Sequence, residues 1–261
     1  MIKRGFWRVF WNSILPLCIP GFVLIQELES TGRWLQKGRI ICRFWCRRLL
    51  RARKVIQTLM GGEDMFDMLD FIKSRRSTRQ YQDREVPKNL IEMIVEAGRY
   101  APSGGNNQTS HFLVIERREI LDHLADLVRQ EFARMEITEG MYSSLVNSIR
   151  LSQTGRYEFH YHAPVLIAVA NRKDYGNNIA DCACALENMM LMANALDLGS
   201  CWINQLKWLN ENEVLLAYER ELGLLEDERI YGALSIGFAK TKDSLPNRKP
   251  LERKGNTVTW I

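Results

Sequence analysis

Seven consecutive residues without a polar side chain, Pro164-Val165-Leu166-Ile167-Ala168-Val169-Ala170, constrain this chain more than any other feature. A segment of that composition has no face to give to water, so it reads as a buried strand covered on both sides. A longer apolar segment follows it. Residues 178–196 are rich in Ala and Met and long enough for about five helical turns, with Gly199 placed to end them. Helical and extended patterns alternate around this pair. Helices are expected over residues 66–74, 87–100, 119–135, 139–154 and 210–222, and strands over 111–116, 200–203 and 230–239. Pro87 opens its helix where a missing N–H costs nothing, and Pro102 ends it. Leu90, Ile91, Ile94, Val95 and Ala97 share one face there, as Leu121, Leu124, Leu127 and Val128 do in the next helix. Residues 256–261 read as an extended tail apolar enough to need a partner. The class is α+β, without internal repeats.

At 261 residues, 46% apolar and 26% charged, the composition is that of an ordinary globular protein. The formal charge of +5 hides an asymmetry. Residues 1–62 hold 12 of the 36 Lys and Arg but 2 of the 31 acids, which makes +10; the other 24 basic and 29 acidic residues make −5. The body is mildly acidic, so no nucleic-acid role is expected. The head carries four of the seven tryptophans. Its apolar stretch 11–25 is interrupted by Pro16 and Pro20 and falls short of the roughly 20 residues of a membrane span. Residues 39–60 fit a basic amphipathic helix suited to an anionic membrane surface. Gly61-Gly62-Glu63-Asp64 back-translates as a purine-rich run directly before Met65, as a ribosome-binding site would be. The expectation is therefore that residues 1–64 are a basic extension outside the native protein, with a membrane-associating segment or a disordered, partner-binding arm as alternatives. Membrane contact is expected only if that extension is real. Residues 65–261 would be one domain. Cys182, Cys184 and Cys201 lie in apolar sequence and read as small buried hydrophobes, while Cys42-x3-Cys46 lacks a second ligand pair. No metal is expected, and a reducing cytoplasm is the default compartment.

Arg75-Arg76-Ser77-Thr78-Arg79-Gln80-Tyr81 packs three guanidinium groups and two hydroxyls into five residues. Alone it could be a solvated charge run at a helix end. Ala101-Pro102-Ser103-Gly104-Gly105-Asn106-Asn107-Gln108 is a Gly-rich turn that ends in side-chain amides, and alone it could be a simple connection. Arginines fork onto phosphate oxygens, hydroxyls add donors, and amides suit the edge of a flat heterocycle. Together the two segments suggest a site for a phosphorylated ring cofactor. His111, His123, His160 and His162 match no metal or triad pattern, and Cys201 has no base at recognisable spacing. Met189, Met190 and Met192 read as packing.

With the run from Asp181 to Ile203, and Ile236-Gly237-Phe238-Ala239 followed by Arg248-Lys249-Pro250, these segments resemble the FMN-dependent nitroreductase family, in family order from about Met65 to Ile261. The resemblance implies a mixed central sheet flanked by helices. It also implies an obligate homodimer with two FMN sites at the interface and C-terminal segments that wrap the partner. It places Arg75 and Ser77 on the phosphate and ribityl chain, Arg76 between them, and Arg79 toward the ring's polar edge, where a cation favours the reduced flavin. Pro102, Ser103, Asn106 and Gln108 would meet the ring edge or ribityl oxygens, serving the FMN held mainly by the other subunit. Ile203, Asn204 and Gln205 would pass the ring, with a backbone N–H of Asn204 or Gln205 aimed at N5. Arg248 and Lys249 would close on the phosphate. Thr109-Ser110 replace the Pro-Trp common in the family, and Asn204-Gln205 replace Glu-Gly. Trp202 would stack or fill space.

The implied activity is NAD(P)H oxidation with ping-pong reduction of a nitroaromatic, quinone or similar electron-poor small molecule, with no catalytic side chain required. The absence of a Gly-x-Gly-x-x-Gly fingerprint fits a transient nicotinamide site. A specialised flavin reaction such as dehalogenation or ring dehydrogenation, and a flavin-binding protein without turnover, are the alternatives. Residues 132–159 would decide the acceptor, with Phe132, Tyr142, Tyr157 and Phe159 as lid or core.

Overall fold

The structure is a computed structural model and describes residues 64–261. The expectations for the basic head, its amphipathic helix and its Cys42/Cys46 pair lie outside the described residues. In chain order the elements are α1 (Asp64–Ser74), α2 (Lys88–Arg99), β1 (His111–Ile115), α3 (Arg118–Arg134) and α4 (Ser143–Gln153). They continue with β2 (Val165–Arg172), α5 (Asn178–Ala195), β3 (Gly199–Ile203), α6 (Gln205–Trp208), α7 (Glu213–Glu221) and β4 (Glu228–Gly237). No described helix is long and apolar enough to cross a membrane.

The four strands run in the order β1-β2-β4-β3, and every ladder is antiparallel. The parallel component of the expected mixed sheet is an isolated bridge, Ser77 with Ser200. There the Thr78 N–H donates to the Ser200 carbonyl at 2.8 Å. The apolar run became β2, an inner strand, and its alternation explains its composition. Leu166, Ala168 and Ala170 enter one core with α3, α4, α6 and α7; Val165, Ile167 and Val169 enter a second with α2 and α5. Neither face meets water, so a polar side chain on either would be buried without a partner. Leu166, Leu121 and Leu186 are wholly buried, each worth roughly 1.5–3 kcal/mol.

Two close approaches fix the layers. A Cβ on Gly98 would lie 2.9 Å from Met189 and Phe112, so α2 rests directly on α5 and β1. A Cβ on Gly199 would lie 2.7 Å from the Thr78 side chain, so the chain after α1 rests directly on β3.

Departures from the sequence reading have local causes. Helix α7 starts at Glu213 rather than residue 210, because the Asn212 side chain accepts from the Leu215 N–H at 3.0 Å and caps it there. Residues 139–142 stay outside α4. The four-residue α6 has no counterpart in the sequence reading, being too short for a periodic pattern. Cys184 is exposed on the outer side of α5, unlike the buried Cys182 and Cys201, which corrects its assignment to the interior. Met189 and Met190 are buried as packing. Residues 250–261 form no regular element and lie exposed along the single chain.

Candidate functional site

Three distant stretches of sequence meet where α5 ends. The Ser74 hydroxyl, at the end of α1, accepts from Asn194 Nδ2 at 2.9 Å. Arg76 Nη1 donates to the Lys249 carbonyl at 2.5 Å. Arg248 donates to the Asn194 carbonyl at 2.5 Å and pairs with Asp197 at 2.7 Å. The nearest carboxylate to Arg75 is Glu187, at 3.9 Å and half exposed, too far for a hydrogen bond. Arg75, Ser77 and Arg79 also share a neighbour, Cys201 on β3. Burial raises that thiol above its usual range, while Arg79, Ser77 and Arg75 pull the other way. One strip of β3 thus lies under three of the expected site residues. Arg75, Arg76, Arg248 and Lys249 gather positive charge here, with Arg75 lacking a hydrogen-bonded carboxylate while Arg76 and Arg248 are partly committed, chemistry that fits a phosphate.

A second region forms against the start of α5. Pro102, Ser103, Asn106 and Gln108 line a cleft of about 480 Å³ together with Tyr100 and Asp181. Asp181 accepts the Gly104 N–H on both oxygens, at 3.0 and 3.3 Å, and the Tyr175 hydroxyl donates to the Gly104 carbonyl at 3.0 Å. A Cβ on Gly104 would come within 2.0 Å of Asn177 Nδ2. Gly105, Asn106 and Gln108 have φ of 60°, 56° and 53°. Left-handed backbone at two side-chain-bearing residues is the kind of strain that concentrates at binding sites. It is locked by the Gln108 N–H on Ser103 Oγ at 3.0 Å and Gln108 Nε2 on Asn106 Oδ1 at 3.1 Å.

The third region is the end of β3. Ile203 is buried, and the chain turns at Asn204 into α6. Trp202 packs over Gly232 and donates its indole N–H to Asn204 Oδ1 at 2.9 Å, so it fills space and positions Asn204. Gln205 Nε2 donates to the Tyr157 hydroxyl at 2.5 Å. The backbone N–H groups of Asn204 and Gln205 sit at this turn, where the chain leaves β3 and α6 begins.

Of the four aromatics weighed as lid or core, Phe132 and Phe159 are fully buried core. Tyr142 is exposed and stands edge-on to Trp208 at 6.1 Å, and Tyr157 is tied to the site through Gln205. No spacing in the sequence pointed to Asp181, Tyr175, Asn194 or Trp208 as neighbours of these regions. His160 is buried and His162 exposed, the structural and surface roles expected of them.

The model of the nitroreductase family matches residues 72–238, most of the described chain. The chain belongs to the nitroreductase family. A relative from Methanothermobacter thermautotrophicus, named as an NADH dehydrogenase/NAD(P)H nitroreductase, is 32% identical over 57% of this chain and 66% of its own length. One of the same name from Archaeoglobus fulgidus is 29% identical over 67% of this chain and 87% of its own. The crystal structure of a nitroreductase with bound FMN from Bacteroides fragilis superposes with a TM-score of 0.64 at 34% identity, over 74% of this chain and 97% of that one. The nitroreductase fold therefore accounts for the sheet and its two helical layers. In this member the Arg75 region, the Gly104 turn and the Asn204 corner are separate structures, each braced by its own contacts.

Proposed function

We propose that residues 65–261 form an FMN-dependent NAD(P)H oxidoreductase that reduces nitroaromatic, quinone or similar electron-poor small molecules. It works as a homodimer with the cofactor at the subunit interface. The observation that carries this reading is the convergence of the Ser74–Arg76 turn with the Arg248-Lys249 segment where α5 ends.

When bound, FMN supplies hydride acceptance at N5 from NAD(P)H and onward transfer to the acceptor, the two partners using one open face in ping-pong alternation. The chain supplies the rest. Arg75, Arg76, Ser77, Arg248 and Lys249 hold the phosphate and ribityl end through charge-assisted hydrogen bonds. Arg79 provides positive charge at the ring's polar edge. The backbone N–H groups of Asn204 and Gln205, at the start of α6, would offer donors toward N5. Pro102, Ser103, Asn106 and Gln108 complete the site of the other subunit's cofactor. No side chain is assigned as acid or base. The dimer is supported by apolar surface that one chain leaves uncovered: Ile179 on α5, and Leu251, Val258 and Trp260 on the tail, the last 91% exposed.

The decisive measurement is the visible spectrum of the purified protein. It should be yellow, bleach on anaerobic addition of NADH or NADPH, and recover its colour with nitrofurazone or a quinone. A colourless protein that ignores added FMN overturns the proposal. Colour that no nicotinamide bleaches would leave flavin binding without turnover.

A further inference from the structure

Residues 157–162 connect α4 to β2, yet two of their side chains reach the site at different points. The Tyr157 hydroxyl lies between Gln205 Nε2 at 2.5 Å and Ser148 Oγ at 2.7 Å, and Ser148 Oγ donates onward to the Ser144 carbonyl at 3.0 Å. The chain of bonds has one direction. Gln205 donates to Tyr157, Tyr157 to Ser148, and Ser148 to the backbone of α4, so each hydroxyl accepts once and donates once. The amide of Gln205 is thereby tied to a helix of the first core.

Four residues later, the Tyr161 ring lies 5.9 Å from the guanidinium carbon of Arg79, within range of a cation–π contact. Tyr161 and His162 have φ of 59° and 54°. Two successive left-handed residues with bulky side chains are strained backbone that a connection to β2 does not require. The surroundings hold them there. Phe159 is buried in the core, Glu158 lies against the wholly buried His160, and its other oxygen is 3.8 Å from His162 Nδ1. The backbone is locked on both sides of Tyr161, and the strain aims its ring at Arg79.

We propose that residues 157–162 are a bracket in which Tyr157 and Tyr161 act as positioning residues, fixing from one loop the Gln205 corner and the Arg79 guanidinium. This rests on the FMN reading above, in which those two groups face different edges of the flavin ring. The bracket sets how strongly the protein prefers reduced over oxidised FMN, and leaves the grip on the phosphate unchanged.

The test uses Tyr157→Phe, Tyr161→Asn and Tyr161→Phe in the full chain. Phe at 157 removes one hydroxyl. Asn takes left-handed backbone readily, so at 161 it removes the ring and keeps the turn. Both Tyr157→Phe and Tyr161→Asn should stay yellow with little change in FMN dissociation. Both should lower the midpoint potential of bound FMN. About a tenfold loss of preference for the reduced form is expected in Tyr161→Asn, about 30 mV for a two-electron couple. Tyr161→Phe, which keeps the ring, should stay near the wild-type potential. Wild-type potentials in both Tyr157→Phe and Tyr161→Asn sink the bracket and leave the FMN reading standing. A wild type that binds no flavin sinks both. Should Tyr161→Asn unfold, Tyr157→Phe decides alone.

Discussion

The turn after α1 and the turn after α2 both lean on α5, and only the second adds bracing of its own. The first, around Arg75, has no left-handed residue and takes its position from far along the chain: Ser74 from Asn194, Thr78 from Ser200, Arg76 from Lys249. Among its charged ends, Arg75 has no hydrogen-bonded carboxylate. The second, around Gly104, is also held from far along the chain, by Asp181 and Tyr175, but adds bracing from within, by Ser103, Asn106 and Gln108 on one another and by left-handed backbone. A charged group with many orientations is best met by long arms on a firm base. The edge of a flat ring is better met by backbone that cannot move. If both turns serve the proposed cofactor, one ligand is held by two unlike devices, one supplying affinity and the other shape.

The sharpest way to break this contrast is at the arms. Arg75→Ala with Ser77→Ala should weaken FMN binding by about a hundredfold, about 2.7 kcal/mol, with the melting temperature nearly unchanged. Fluorescence quenching of FMN checks it, and unchanged affinity would remove the first region from the site. Mixed dimers of this variant with Asn106→Ala subunits should recover tight binding at one of the two sites if the regions serve different cofactors. No recovery would place both regions on one flavin.

Smaller effects test the base. Gly199→Ala forces a Cβ to within 2.7 Å of Thr78 and should cost about 2 kcal/mol of stability as well as weakening FMN. Full FMN affinity in the destabilised variant would show that the arms do not depend on β3. A control lies outside both regions. Burial pushes the Glu219 carboxyl up to about 8, with Arg229 only partly offsetting it. Its folded value exceeds its ordinary 4.5, so the folded state keeps a proton that the unfolded state releases. The stability it contributes is complete below about 4.5 and is lost as pH rises through about 8. Glu219→Gln should therefore stabilise the protein at pH 9 by about 1–2 kcal/mol and flatten the decline of chemical-denaturation midpoints with pH, leaving FMN affinity unchanged. A decline as steep as wild type would rule the residue out. Smallest of all, Gln108→Gly should relieve a left-handed φ of 53° and raise stability by about 1 kcal/mol while loosening FMN. A gain in both would show that the strain does not serve the ligand.

The sequence announced both turns to the same extent. Arg75 to Arg79 and Ser103 to Gln108 are local strings whose residue types carry their chemistry, so the amino-acid order alone is enough to name them. The β2 run and the α2 and α5 faces were legible because burial repeats along them at regular spacing. What braces the turns was not legible. Tyr157 and Gln205 are 48 residues apart, and Gly104 and Asp181 are 77 apart. Nothing in one string implies the other, because only the folded sheet brings them together. Nor does aromatic character say which of Phe132 and Tyr142 is buried, since that depends on which face α3 turns to the first core.

The bridge from Thr78 to Ser200 has a consequence beyond the ligand. Strand β3 ends the sheet on its side, and the segment carrying Arg75 and Ser77 is what lies along that open margin. If it frayed, bare N–H and C=O groups would invite another chain to stack there. Keeping Arg75 and Ser77 in register thus also keeps one molecule from adhering to the next.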